Sequence, residues 1–213
     1  MAIDFEELTY TNPFLFHLTY RSSLARISRL MKLESAGSLL ELGEKQDWIR
    51  RRREKILPFQ IGNDSIVLTD QLPLKAGHVE FQSGWQLPDL VECLNRRVFF
   101  WRGKDEGMLA KDRGQFGAYK ARGKELVFLR VPLTDAVDLN GEPEYCEFNS
   151  GGPRSVDGKK SPRGPKTFVS ATDADFTLGK IREVVFQDAF TLPESTQVCF
   201  GSCEGPWESL REV

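Results

Sequence analysis

Three side chains, in two distant places, have the types and spacing to work on a sugar. In Phe14-Leu-Phe-His-Leu-Thr-Tyr20, strand alternation puts His17 and Thr19 on one face, two residues apart. An imidazole and a hydroxyl so placed can engage the diol of a ribose. In Lys180-Ile-Arg-Glu-Val-Val-Phe186, Glu183 heads an apolar strand, and a pleated strand would give it Ile181 and Val185 as face-mates. A carboxylate among apolar neighbours costs free energy unless it is paired or used. Facing a ribose, it can stabilise the charge that builds on the sugar carbon as a glycosidic bond breaks. These are the groups needed to grip NAD and break its nicotinamide bond.

Each has an ordinary alternative. His17 can be a half-buried imidazole satisfying a neighbouring carbonyl, with Thr19 capping the helix that follows. Glu183 can be an edge-strand carboxylate paired with Arg182 or Lys180 in solvent.

Other residues could serve the same chemistry. Arg50-Arg-Arg-Arg53 reads as a solvated helix end, its cations meeting the helix dipole. Four consecutive arginines span all sides of a helix, so at least one is expected to point inward, where its fork suits a pyrophosphate or a nucleic-acid backbone. Val98-Phe-Phe-Trp101 reads as a strand covered on both faces, whose last ring could stack on nicotinamide or a base. Residues 149–166 turn to Gly, Pro, Ser, Lys and Arg, with Arg154, Lys159, Lys160, Arg163 and Lys166 against one acid, Asp157. That composition predicts a long mobile loop, either plain surface or phosphate-gripping.

Metal chemistry is disfavoured. Cys93, Cys146, Cys199 and Cys203 form no C-x-x-C pair, and only His17 and His78 could join them, so buried thiols are expected. The chain holds no G-x-S-x-G, H-E-x-x-H or P-loop string, and no G-x-G-x-x-G follows its first strand.

The elements that must position these residues are many and short. Strands are expected at 14–18, 66–68, 98–101, 126–131, 145–148, 167–169, 181–186 and 197–200. Helices are expected from Ser22 or Ser23 through Leu24, Ile27, Leu30 and Met31, over Leu42–Lys55, over Leu87–Leu94, and more weakly over Lys104–Arg122. Residues 69–86 read as an ordered loop. Short strands among helices predict an α+β fold with a mixed or antiparallel sheet, in one domain over residues 1–213. Hydrophobic residues at 40% and charged residues at 28% suit a packed globular core, and the net charge of −2 leaves nucleic-acid binding to local patches. With no span-length apolar run and no leader, the expectation is a cytoplasmic protein without membrane contact.

Taken in order, four strings resemble the DarT-like ADP-ribosyltransferases, toxins that modify DNA bases. They are Phe16-His17-Leu-Thr19-Tyr…Leu24…Ile27, Trp48-Ile49…Arg-Arg, Val98-Phe-Phe-Trp101…Met108-Leu109 and Arg182-Glu183-Val-Val-Phe…Leu192-Pro193. Leu68-Thr-Asp-Gln-Leu-Pro-Leu74, Leu94-Asn-Arg-Arg-Val-Phe-Phe-Trp101 and Asn149-Ser-Gly-Gly152 look closer still to an uncharacterised bacterial domain family of the same architecture. The resemblance implies an ADP-ribosyltransferase-like core that takes NAD as co-substrate. His17 and Thr19 would hold the nicotinamide-side ribose and amide, and Phe99, Phe100 and Trp101 would line the nicotinamide pocket. Glu183 and one of Arg51, Arg52 and Arg53 would be catalytic. The arginine run and the basic loop make a DNA or RNA acceptor the expectation, met by Asn149, Arg154, Lys160 and Arg163. A toxin role, with an antitoxin or immunity partner, is what the resemblance alone implies. An RNA 2′-phosphotransferase or NAD hydrolase on the same fold, or an inert binding module, are the alternatives. Arg102-Gly-Lys-Asp-Glu106 departs from the apolar, proline-bearing turn the family leads one to expect.

Overall fold

The computed structural model describes residues 3–109 and 125–213. Its first strand, β1 (Phe14–Tyr20), sits in the middle of an eight-stranded sheet. The strands before the sheet's second member are short: β2 (Lys32–Glu34), the hairpin β3 (Leu57–Ile61) and β4 (Asp64–Leu68), and β5 (Val79–Phe81). The sheet continues with β6 (Arg97–Lys104), β7 (Gly107–Met108), β8 (Leu126–Pro132) and β9 (Glu144–Cys146). After β10 (Ser161–Arg163) come β11 (Glu183–Gln187), β12 (Ala189–Thr191), β13 (Gln197–Phe200) and β14 (Glu208–Ser209). The sheet order is β14-β13-β8-β1-β6-β11-β9, with β7 folded back on β6, and every pair in it is antiparallel. β10 and β5 make a separate parallel pair. The architecture is α+β with a mostly antiparallel sheet, as the strand pattern predicts.

Both faces of the sheet are covered. On one, Leu15, Phe100, Leu129, Val131 and Val184 pack with Leu8 of α1 (Phe5–Thr11), Leu24 and Ile27 of α2 (Arg21–Leu30), and Ala136 of a helix at Leu133–Asn140. On the other, Val185 and Cys146 pack with Leu90, Val91 and Leu94 of a helix at Leu87–Asn95, while Phe16, Trp101 and Phe128 form an adjoining cluster. This double covering is why Val98–Trp101 is apolar without a break. In chain order the helices after α2 are α3 (Ala36–Leu42), α4 (Leu87–Asn95) and α5 (Leu133–Asn140).

Several expectations are corrected. The helix over Leu42–Lys55 does not form. α3 ends at Leu42 with Gly43 as its C-cap, a position where the Phe59 ring leaves no room for a side chain, and Glu44 takes φ +56, which carries the chain out of the helix. A single 3-10 turn, Gln46–Trp48, follows, so Arg50–Arg53 lie on irregular chain and meet no helix dipole. α2 starts without a side-chain cap, and Met31 closes it in the left-handed region instead of extending it. Where the helix from Lys104 is expected, Lys104 instead ends β6 and a turn leads into β7, while residues 110–122 lie outside the described residues. Thr167–Val169 contributes only a bridge from Val169 to Tyr145.

Candidate functional site

β11 delivers Glu183 into the sheet interior. Because strand pairing begins at Glu183, Ile181 falls in the core on the other face, leaving Val185 as the face-mate of Glu183. The carboxylate residue is 4% exposed, so the edge-strand alternative fails. Its Oε2 accepts from the Ser150 hydroxyl at 2.5 Å and from the Ser150 backbone N–H at 3.2 Å. Ser150 is itself fully buried. Strand register sets the neighbours. Val184 pairs with Phe100, so Glu183 falls one rung further, level with Trp101, which pairs with Phe16 on the far side. Trp101 and Phe99 thus share the face of Glu183, whereas Phe100 belongs to the opposite core.

Arg163 anchors this end. Only 1% exposed, it sends Nη2 to Asn149 O (2.9 Å), Nη1 to Pro162 O and Ser161 Oγ (both 2.7 Å), and Nε toward Ser150 O (3.5 Å), while lying 4.6 Å over the Phe148 ring. Burial lowers its pKa, opposed by the negative charge of Glu183. It is a brace, not a cation offered to a ligand, and it ties down the segment expected to be mobile. Asn149 uses its carbonyl for this brace and is half-buried. Arg154 and Lys160 do stand in solvent on that segment. Burial, and secondly the Glu183 charge, push the Cys146 thiol up, so it is a neutral thiol with no nucleophilic role.

His17 lies on β1 where the sheet divides. The β1–β6 ladder has three pairs, Phe14↔Gly103 to Phe16↔Trp101, while β1 stays paired with β8 through Tyr20. At the point of parting, His17 Nδ1 contacts Phe99 O at 2.9 Å, and its ring sits 5.5 Å from that of Phe100. A carbonyl only accepts, so Nδ1 carries the proton. Burial is the main influence on this imidazole and lowers its pKa, with the Phe99 bond opposing. His17 therefore satisfies a neighbouring carbonyl, the ordinary alternative, and Thr19 does not cap α2. Pleating sends His17 and Thr19 to the α2 face and Glu183 to the α4 face. Their backbones remain close, about 10 Å across two strand spacings.

The arginines do not join this group. Arg51 stacks on Trp48 at 4.5 Å and Arg52 donates to the carbonyls of Gln71 and Leu72, both at 3.1 Å. Arg50 pairs with Asp89 and Glu92. Arg53 is the inward one, 4% exposed, donating to Thr69 O (2.8 Å) and Asn95 Oδ1 (2.9 Å), its pKa lowered to about 10 by burial. Asn95 closes the α4 end, near the rung where Arg97 meets Gln187. That rung lies four residues, about 13 Å, along β11 from Glu183. The inward arginine is a structural brace.

Ser150 is the functional candidate that residue-type reasoning passed over. The string Asn149-Ser-Gly-Gly152 marks a turn, but only the fold brings it to Glu183. Two open surface hollows are lined by Ser28, Arg29, Met31 and Arg211, and by Lys32, Glu34, Ser38 and Glu41, away from these residues. Among the described residues no cluster of three metal-capable side chains gathers, and no helix is long and apolar enough to cross a membrane.

A family described as "Family of unknown function (DUF7002)" matches residues 13–194, a span that includes His17, Ser150, Arg163 and Glu183. No curated protein and no solved structure matches the chain.

Proposed function

The chain belongs to the DUF7002 family, and we propose that it is an NAD-dependent ADP-ribosyltransferase with Glu183 as its catalytic carboxylate. The observation that carries this reading is a buried carboxylate on an interior strand between β6 and β9, level with Trp101, the residue at which the β1–β6 ladder ends. Sheet interiors rarely hold a carboxylate, and this one is supplied with dedicated donors instead of a salt-bridged surface site. An ADP-ribosyltransferase-like core would use the seam where β1 leaves β6 as its NAD cleft, where a ligand would have to reach residues of both faces: Glu183, Phe99 and Trp101 from one, His17 and Thr19 from the other, with the fully buried Phe100 ring beside His17.

Cleavage breaks the bond between the ribose carbon and the nicotinamide nitrogen, whose electron pair leaves with nicotinamide. The acceptor's nucleophile then bonds to that carbon. Glu183 would accept from the ribose 2′-hydroxyl and stabilise the oxocarbenium character, while Trp101 would hold the nicotinamide ring. The exposed Arg154 and Lys160 would meet a DNA or RNA acceptor. A cytoplasmic toxin restrained by an antitoxin or immunity protein is the setting that the family resemblance implies.

Labelled NAD supplied with single-stranded DNA, RNA or lysate tests this. Transfer by the native chain and none by Glu183→Gln supports it. Release of nicotinamide without transfer would make the protein a hydrolase.

One observation favours a second reading. Glu183 is 4% exposed and capped by Ser150. An inert binding module would keep this buried contact for stability alone, and it predicts salt-sensitive partner binding with no NAD consumption.

A further inference from the structure

We propose that Ser150 is a positioning residue for Glu183, held in aim by Arg163. This inference rests on reading Glu183 as the group that meets the ribose. Two donors of one residue, the Ser150 hydroxyl and its own amide, converge on a single oxygen, Oε2. Such convergence requires a fixed backbone, and Arg163 supplies it. The guanidinium grips the carbonyl of Asn149 and reaches that of Ser150, so the turn cannot rotate without breaking buried hydrogen bonds. Arg163 in turn is fixed by Pro162 O and Ser161 Oγ on β10, which is paired to β5. The chain of contacts therefore runs from β5 and β10 through Arg163 and Ser150 to the carboxylate.

The consequence is chemical as well as geometric. Donors to an ionised carboxylate favour the charged form and fix its orientation. Charged and titratable groups near Glu183 include Arg163 from β10, the neutral Cys146 thiol directly across on β9, and Arg182, the preceding residue in the chain. β6 offers Trp101 at this rung, with no charge. A buried carboxylate here would drift toward the neutral acid without its donors, since burial disfavours the charge. The Ser150 clamp keeps Glu183 ionised and pointed one way, the state required to face a developing positive charge.

The test uses the full chain with glutamate labelled at its carboxyl carbon, the Glu183 resonance being assigned by its loss in Glu183→Gln. Ser150→Ala should raise the Glu183 titration midpoint by about one unit, the worth of one hydrogen bond to a charged group. The acid limb of the pH profile for NAD turnover should move up by the same amount. Ser150→Cys, which keeps a weak donor, should fall between and serves if the alanine variant does not fold. Coincident midpoints in the native chain and these variants would overturn the inference, including where the variants merely unfold more easily. If the native chain consumes no NAD, the proposed activity fails, and the carboxyl titration still decides the role of Ser150.

Discussion

His17 and Glu183 stand about 10 Å apart in one sheet, yet the pleat turns them to opposite faces. A shared ligand can touch both only where β1 and β6 part, one residue beyond the Phe16↔Trp101 pair. The account of function therefore depends on that seam, and the imidazole bound to Phe99 O marks its edge.

The half-buried imidazole predicts a pH effect on stability. Burial lowers the His17 pKa below its ordinary 6.5. Between the folded and unfolded values the unfolded chain binds more protons, so stability rises with pH there. The contribution is fully present above pH 6.5 and is lost as pH falls through the folded value. Thermal unfolding of the native chain should weaken on acidification below about pH 6.5, and His17→Asn should flatten that slope. Parallel slopes would mean that His17 stays neutral or exposed in both states.

Arg163 and its exposed neighbours should behave oppositely. Arg163→Met strips hydrogen bonds from the carbonyls of Asn149 and Pro162 and leaves Glu183 without its nearest buried cation. The expected cost is about 3–5 kcal/mol in urea unfolding, the range for breaking a buried charged network. Arg154→Ala and Lys160→Ala should stay within about 0.5 kcal/mol, because both side chains are solvated. Equal effects at all three positions would contradict the assignment of Arg163 as a brace.

Asn95 should prove as important as any arginine near it. Its Oδ1 accepts from Arg53 and Gln71, and its Nδ2 donates to Ile49 O at 2.8 Å. Asn95→Ala leaves a buried guanidinium and a carbonyl short of partners, at a cost of about 2–4 kcal/mol in urea unfolding. Asn95→Asp keeps the acceptor and should recover stability lost through Arg53. A neutral Asn95→Ala would remove the reason for Arg53 being inward.

Gly103 tests the seam's geometry. A Cβ there would lie 2.4 Å from the Phe16 ring and 2.5 Å from Gly107 O. Gly103→Ala should cost about 1–3 kcal/mol by overpacking. Pairing the substitution with Phe16→Leu, which shortens the side chain, should recover part of that loss in thermal unfolding.

The sheet was largely legible in the sequence because its strands are buried on both sides and carry unbroken apolar runs. Val98–Trp101 and Leu126–Leu129 are of this kind, and α4 is legible because Leu90, Val91 and Leu94 recur on one face. The region from Leu42 to Lys55 was not. Its apolar residues serve a small core with Phe59, Ile66 and Leu68, and the chain turns away at Gly43 and Glu44, the latter at positive φ, where their spacing implies a helix. At the site, Glu183 was visible as a carboxylate in an apolar string. Its partner Ser150 was not, because 33 residues separate them and a serine in a glycine turn carries no signal of burial. Arg163 was misread for the same reason. Composition reports a basic loop, and only packing shows which cation turns inward.

The most direct measurement is NAD consumption and label transfer by the native chain beside Glu183→Gln, with single-stranded DNA, RNA and lysate as acceptors. Glutamine is nearly isosteric and still accepts from Ser150, so both proteins should unfold at similar temperatures. The account predicts transfer by the native chain and a fall of about 100-fold or more in the variant, the scale for removing one electrostatic contact made to the transition state. Equal rates in the two proteins, or no NAD consumption by the native chain with any acceptor, would contradict it.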